Sequence, residues 1–197
     1  MMICRISSKL LNFVCKNYDI PSDTMDIYQY GIEITISSML NITLVLLCAV
    51  LFGDIFSGIV YLLIFIFLRS FTGGYHASTY FRCNLTIVVT FAITYLAYRA
   101  IIFFNCPLYL LVIFALLNML PIAVFSPVPN IHKPLTEPQK KRTHIWSIVI
   151  GSVLSAVGTV LFLLKAQIGA MIITSVTMVS VLIITETIMQ RRGYHES

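Results

Sequence analysis

The sequence predicts an all-α protein, a polytopic membrane helical bundle of about six transmembrane helices preceded by an N-terminal amphipathic interfacial helix. Three observations predict it. Of 197 residues, 58% are hydrophobic and only 11% charged, with a mean hydropathy of +0.92, whereas soluble domains carry about 25% charged residues. Six apolar runs are long enough to cross a bilayer, which takes roughly 20 residues at about 1.5 Å each. The basic residues also fall overwhelmingly on one side of the topology that those runs define.

In chain order, residues 1–17 place Ile3, Ile6, Leu10 and Val14 at helical spacing, with Arg5, Lys9 and Lys16 roughly opposite. Such a helix either lies flat in the interface or caps one end of the bundle. Its apolar stretch is too interrupted for a cleavable leader. Residues 19–33 turn acidic (Asp19, Asp23, Asp26, Glu33), and Pro21-Ser22 suits the start of a second short helix. Glu33, at the mouth of the first span, is either a solvated helix end or a functional ionisable group.

The predicted spans are 34–52, 55–72, 84–104, 108–126, 146–164 and 168–189. They are punctuated by Gly53-Asp54, Gly73-Gly74, Asn105-Cys106-Pro107 and the polar stretch after Ser126. With both termini in the cytoplasm, eleven Lys and Arg fall inside (Arg5, Lys9, Lys16, Arg69, Arg82, Lys133, Lys140, Lys141, Arg142, Arg191, Arg192). Only Arg99 and Lys165 fall outside. Loops that stay inside are enriched in Lys and Arg, so the split supports an even number of spans and their direction together. The net charge of +5 then reports topology and contact with anionic lipid, and gives no reason to invoke nucleic acid. Gly151, Ser152, Ser155, Gly158, Gly169, Ser175 and Ser180 in the last two spans read as close helix packing.

Most of the reactive chemistry lies in the turn between the second and third spans, Arg69-Ser-Phe-Thr-Gly-Gly-Tyr-His-Ala-Ser-Thr-Tyr-Phe-Arg-Cys83. His76 and Cys83 suit nucleophilic catalysis: a thiolate attacks a carbonyl while an imidazole moves the protons. On a straight helix the two would stand about 10 Å apart along the axis, beyond proton-transfer reach. A bend at Gly73-Gly74, or pairing across two subunits, is therefore needed. A helix N-terminus at Cys83, with Arg82 adjacent and Arg69 nearby, provides conditions that favour a thiolate. Backbone N–H groups around Gly73 and Gly74 could receive an oxyanion. Five cysteines without C-x-x-C spacing give no metal motif, and no cofactor motif is present. Cys48 and Cys106 either pair or stay as isolated thiols. His132, His144 and His195 read as surface residues, His144 beside Trp146 in the interfacial belt.

The loop Ser126-Pro-Val-Pro-Asn-Ile-His-Lys-Pro-Leu135 is stiffened by prolines, and Lys140, Lys141 and Arg142 form a basic cluster after it. That cluster is either a topology determinant or a binding surface for an acidic or membrane-bound substrate.

The stretch Arg69…Gly-Gly-Tyr-His-Ala…Cys83, together with Tyr30-Gly31-Ile32-Glu33 and the 126–135 loop, resembles the accessory gene regulator B family of membrane peptidases that process quorum-sensing propeptides. The resemblance runs from about residue 26 to the C-terminus. Here Ile131-His132 separate Asn130 from Lys133, which departs from the family's tighter loop. The resemblance implies Cys83 as nucleophile, His76 as its base, and a membrane-bound propeptide (AgrD-like) as substrate. It further implies a homodimer, and a bacterial cell membrane with the active site facing the cytoplasm. Cleavage would leave a Cys83 thioester, from which a thiolactone or lactone could close. The competing reading is a non-catalytic small-peptide transporter or export partner, against which stands the lack of paired repeats or broken midplane helices.

Overall fold

The computed structural model describes residues 7–8, 10–11, 25–73, 80–128 and 136–191, and all regular structure among them is helical. The helices are α1 Met25–Leu51, α2 Ile55–Thr72, α3 Tyr80–Phe103, α4 Leu108–Leu117, α5 Met119–Phe125, α6 Glu137–Leu163 and α7 Ile168–Arg191. Six spans are long and apolar enough to cross a membrane, α4 and α5 together making one of them. Ser7, Ser8, Leu10 and Leu11 are helical; the rest of the expected N-terminal helix lies outside the described residues.

Two boundaries depart from expectation because apolar runs mark only the lipid-facing part of a helix. Residues 25–33 are no separate short helix but the first turns of α1, which runs unbroken to Leu51. α6 likewise begins at Glu137, nine residues before its apolar run. Its start is set by a capping box, in which the Thr136 N–H donates to Gln139 Oε1 at 3.1 Å, and by Pro138 in the first turn.

The fourth span is broken, contrary to expectation. Pro121 has no N–H to offer the Leu117 carbonyl, and its ring crowds that carbonyl, so the helix divides at Asn118. The break is made good from α7. Asn118 Nδ2 donates to Thr177 Oγ1 at 2.8 Å, and Ser180 Oγ donates to the Asn118 carbonyl at 3.1 Å. Lipid offers no substitute for these bonds.

Helix α7 is the core element. It packs against α2, α3, α4, α5 and α6, while α1 lies on α2 and α3. Of its span 61% is buried, against 22% for α1, so α7 faces protein where α1 mostly faces lipid. The α6–α7 crossing depends on small residues. A Cβ at Gly158 would meet Ile173 at 2.9 Å, and one at Gly169 would strike the Gly158 carbonyl and the Phe162 backbone. Gly151 faces Met119 and Ile122 of α5 in the same way. These three glycines are thus used for packing within the chain, as expected.

On the other side of the core, Tyr61 of α2 and Phe91 of α3 are fully buried with ring centroids 5.2 Å apart. The Tyr61 hydroxyl is paired with Thr90 Oγ1 at 2.8 Å. Asp54 N-caps α2 by accepting from Ser57 N at 3.0 Å.

Asn118→Leu keeps the branching but removes the side-chain bond to Thr177, leaving the Ser180 bond to the backbone carbonyl in place. It is expected to cost about 1–2 kcal/mol, read as a lower thermal midpoint in detergent, and Thr177→Val should reproduce part of the loss. A midpoint equal to wild type would mean that Pro121 alone shapes the break.

Candidate functional site

Cys83 sits in the first turn of α3, half-buried. The first N–H groups of a helix have no partner within it, so the thiol lies beside exposed donors and the positive end of the dipole. Its neighbour Asn84 is buried and accepts at Oδ1 from Ser37 Oγ of α1 at 3.2 Å, which docks the start of α3 on α1. Arg82 is exposed.

Arg69 occupies the last turn of α2, its guanidinium carbon 5.1 Å from the centre of the Phe65 ring. It stands at the end of α2 that leads to the start of α3, where Cys83 lies. His76, Gly74 and Lys133 lie outside the described residues.

Gly73 ends α2 with φ +68°, its N–H donating to the Arg69 carbonyl at 3.0 Å. A side chain there would be strained by the backbone and would set its Cβ 2.6 Å from the Val128 carbonyl oxygen. That contact joins two distant parts of the sequence, since Val128 N also donates to the Thr72 carbonyl at 2.9 Å. The start of the 126–135 loop is thereby pinned to the end of α2.

The same loop is held from α6. Ser126 Oγ donates to Ser147 Oγ at 2.8 Å, and His144 Nδ1 lies 2.6 Å from the Ser126 carbonyl oxygen. A carbonyl only accepts, so Nδ1 carries a proton and, in the neutral ring, Nε2 keeps the lone pair. His144, half-buried, is thus an anchor for the start of the loop. Its neighbour Trp146 packs on Phe71 of α2, ring centroids 6.4 Å apart.

Glu33 lies half-buried near the start of the first span. Its Oε1 accepts from Ser7 Oγ at 2.9 Å and from Gln29 Nε2 at 3.3 Å, tying the N-terminal segment to α1. Further along α1, Asn41 Oδ1 is buried with no partner among the described residues. Lys140, Lys141 and Arg142 are exposed in the first turns of α6. Clefts of about 490 and 320 Å³ lie at the opposite end of the bundle, around Arg99 and Lys165, and share no residue with this cluster. Among the described residues no three His, Cys, Asp or Glu gather to hold a metal ion. Cys48 and Cys106 are free thiols.

Glu186 is the residue that sequence reasoning passed over. It is the one acid in an otherwise uncharged run from 168 to 190. It is only 9% exposed, and its Oε1 accepts from Gln190 Nε2 at 3.0 Å. The signal was legible, because a carboxyl group inside a span is costly and so calls for a reason.

Gly73→Ala is expected to destabilise the protein by about 1–3 kcal/mol through positive φ and the Val128 contact. Thermal unfolding in detergent measures this, and an unaltered midpoint would show that the two loops are not held together there.

A family model described as Accessory gene regulator B matches residues 7–184. None of the curated proteins matches the chain, and no solved structure does.

Proposed function

The chain belongs to the accessory gene regulator B (AgrB) family, and on that premise we propose that it is a cysteine endopeptidase acting through Cys83 and His76 on a quorum-sensing propeptide. Family membership itself supports a part in agr propeptide processing, with an AgrD-like propeptide as substrate. Together with the six apolar spans it makes the chain a multi-pass membrane protein. The observation that carries the finer reading is the position of Cys83, half-buried in the first turn of α3, with Arg69 in the last turn of the preceding helix.

In this reading the Cys83 thiolate attacks a peptide carbonyl of the propeptide near its C-terminal tail. The carbon–nitrogen bond breaks, His76 delivers the thiol's proton to the departing amine, and the peptide remains on Cys83 as a thioester. The Gly73 N–H is committed to the Arg69 carbonyl, so the N-terminal N–H groups of α3 and the Gly74 backbone receive the developing oxyanion. A thiol or hydroxyl of the peptide then attacks the thioester carbonyl, releasing Cys83 and closing a thiolactone or lactone. Exchange between thioesters is close to balanced, so departure of the tail or of the product must draw it forward. The Cys83 end of the bundle faces the cytoplasm of a bacterium, in keeping with the eleven-to-two split of basic residues. A homodimer follows from the family resemblance alone.

Cys83→Ala and His76→Ala are expected to abolish release of the tail by protein reconstituted in liposomes, while membrane insertion is unchanged. Mass spectrometry of trapped wild-type protein should show the peptide on Cys83. Full processing by Cys83→Ala protein would reject the peptidase reading and favour a transporter or export role.

The exposed cluster Lys140, Lys141 and Arg142 would draw an acidic tail by long-range attraction that salt screens over about 10 Å at 0.1 M. Reversing all three charges should raise KM several-fold and invert its dependence on salt. A KM equal to wild type, with topology intact, would leave the cluster a topology determinant only.

A further inference from the structure

The end of the bundle remote from Cys83 closes three helices in one way. α1, α3 and α6 are each followed by a residue of positive φ, Gly53 at +74°, Asn105 at +45° and Lys165 at +59°. In each case the next N–H reaches back to a carbonyl of the last turns: Asp54 to Ala49 at 2.9 Å, Cys106 to Ile101 at 3.0 Å, and Ala166 to Leu161 at 2.9 Å. That closure favours glycine, accepts asparagine and strains a residue such as lysine. Lys165 therefore stands against the preference of the backbone, and such strain persists only where something outweighs it. The helix dipole does not require it, because a lysine one turn earlier, at ordinary helical φ, would serve as well.

Lys165 lines a cleft of about 320 Å³ together with Asn105, Gln167 and Phe162. Ile102 lines it too, and also lines an adjoining cleft of about 490 Å³ with Arg99, Phe103 and Phe104. Arg99 is four residues from the end of its span at Phe103, and Lys165 two residues beyond the end of its span at Leu163. Both are exposed, and their long stems bring the cations to the depth of lipid phosphates. Among the described residues, the side chains of Arg99, Lys165, Asn105 and Gln167 make no hydrogen bond or ion pair. Asp54 is the one acid at this end, and it is engaged in capping α2, accepting from Ser57 N at 3.0 Å and Ser57 Oγ at 2.6 Å.

We propose that these clefts hold the headgroup of an anionic phospholipid from the leaflet remote from Cys83, its phosphate paired with Lys165 and Arg99. Basic pockets between membrane helices suit such headgroups. Asn105 and Gln167 can donate to further headgroup oxygens. The apolar walls fit a lipid better than a soluble anion. Phe103 and Phe104 are exposed and stand edge to face, ring centroids 5.2 Å apart. They suit the glycerol and first methylenes of a lipid, whereas a free phosphate gains nothing from them. Binding of the phosphate then offsets the strain held at Lys165. The proposal is independent of the peptidase reading.

The test places a single tryptophan at the clefts, Phe104→Trp in a Trp146→Phe background, in full-length protein in vesicles of phosphatidylcholine and phosphatidylglycerol. Quenching by brominated chains of each lipid gives their relative binding at that end. Phosphatidylglycerol is expected to be preferred about fivefold, the effect of one basic residue near an anionic surface. Lys165→Gly with Arg99→Gln should bring the preference to about one, whereas neutralising Lys140, Lys141 and Arg142 at the other end should leave it unchanged. Lys165→Gly alone should raise the thermal midpoint in uncharged detergent by about 2–4 °C, because glycine relieves the turn. Equal quenching by both lipids, a preference that survives the double variant, or a midpoint that does not rise would each overturn the proposal. So would loss of the preference in inorganic phosphate at an ionic strength matched with chloride, which marks a site for a free anion. If the double variant does not insert, Lys165→Gly is read alone: a weakened preference supports the proposal and an unchanged one refutes it.

Discussion

A polar group inside a lipid-embedded bundle has no water to turn to, and this constraint organises the molecule more than any single apolar contact. Lipid tails resemble leucine, so apolar faces gain little by meeting one another, whereas an unmatched hydroxyl, amide or charge loses several kcal/mol. The buried hydroxyls of α3 and α7 answer by bonding back along their own helices, as Thr94 does to the Thr90 carbonyl at 2.7 Å and Ser175 to the Met171 carbonyl at 2.7 Å. Groups that have no local solution become the joints between helices. Asn118 with Thr177, Tyr61 with Thr90, and Ser37 with Asn84 are such joints.

The candidate site grows from the same rule at the Cys83 end. Here each helix terminus must satisfy its own backbone, and it does so by borrowing from a neighbour remote in sequence. The Thr72 carbonyl takes the Val128 N–H, the Ser126 carbonyl takes His144, and Glu33 takes Ser7. The end of α2 at Thr72 and Gly73 is thereby joined to the Ser126–Val128 stretch, although about 50 residues separate them in the chain. Close approach, enforced by the bare Cα of Gly73, is what makes the exchange of hydrogen bonds possible.

Much of this was legible in the sequence. Hydropathy and the asymmetry of Lys and Arg gave six spans, and five kept their apolar limits closely. What they could not show was where a helix continues into polar sequence, as α1 does before Glu33 and α6 does before Trp146, since capping and turn chemistry decide that rather than transfer into lipid. The break at Asn118 was written in Pro121, but one proline in a run of leucines reads as a tolerated kink until the partners on α7 are known. Cys83 and Arg69 were legible because glycines and charges crowd into one short turn. Glu186 was passed over, although a lone acid in an apolar span is itself a signal. The anchoring role of His144 was not legible either: its ring nitrogen meets a carbonyl 18 residues away.

The placement of α7 has a consequence for how the protein is made. The helix that touches most of the others follows them all in the order of translation. Earlier spans must therefore enter the bilayer and wait there as loosely associated rods, with Asn118 lacking Thr177 and α2 lacking the surface on which Leu68 and Phe65 come to rest. Insertion and assembly are then separate events, and the arrival of the final span converts a set of membrane-spanning rods into a bundle with a defined interior.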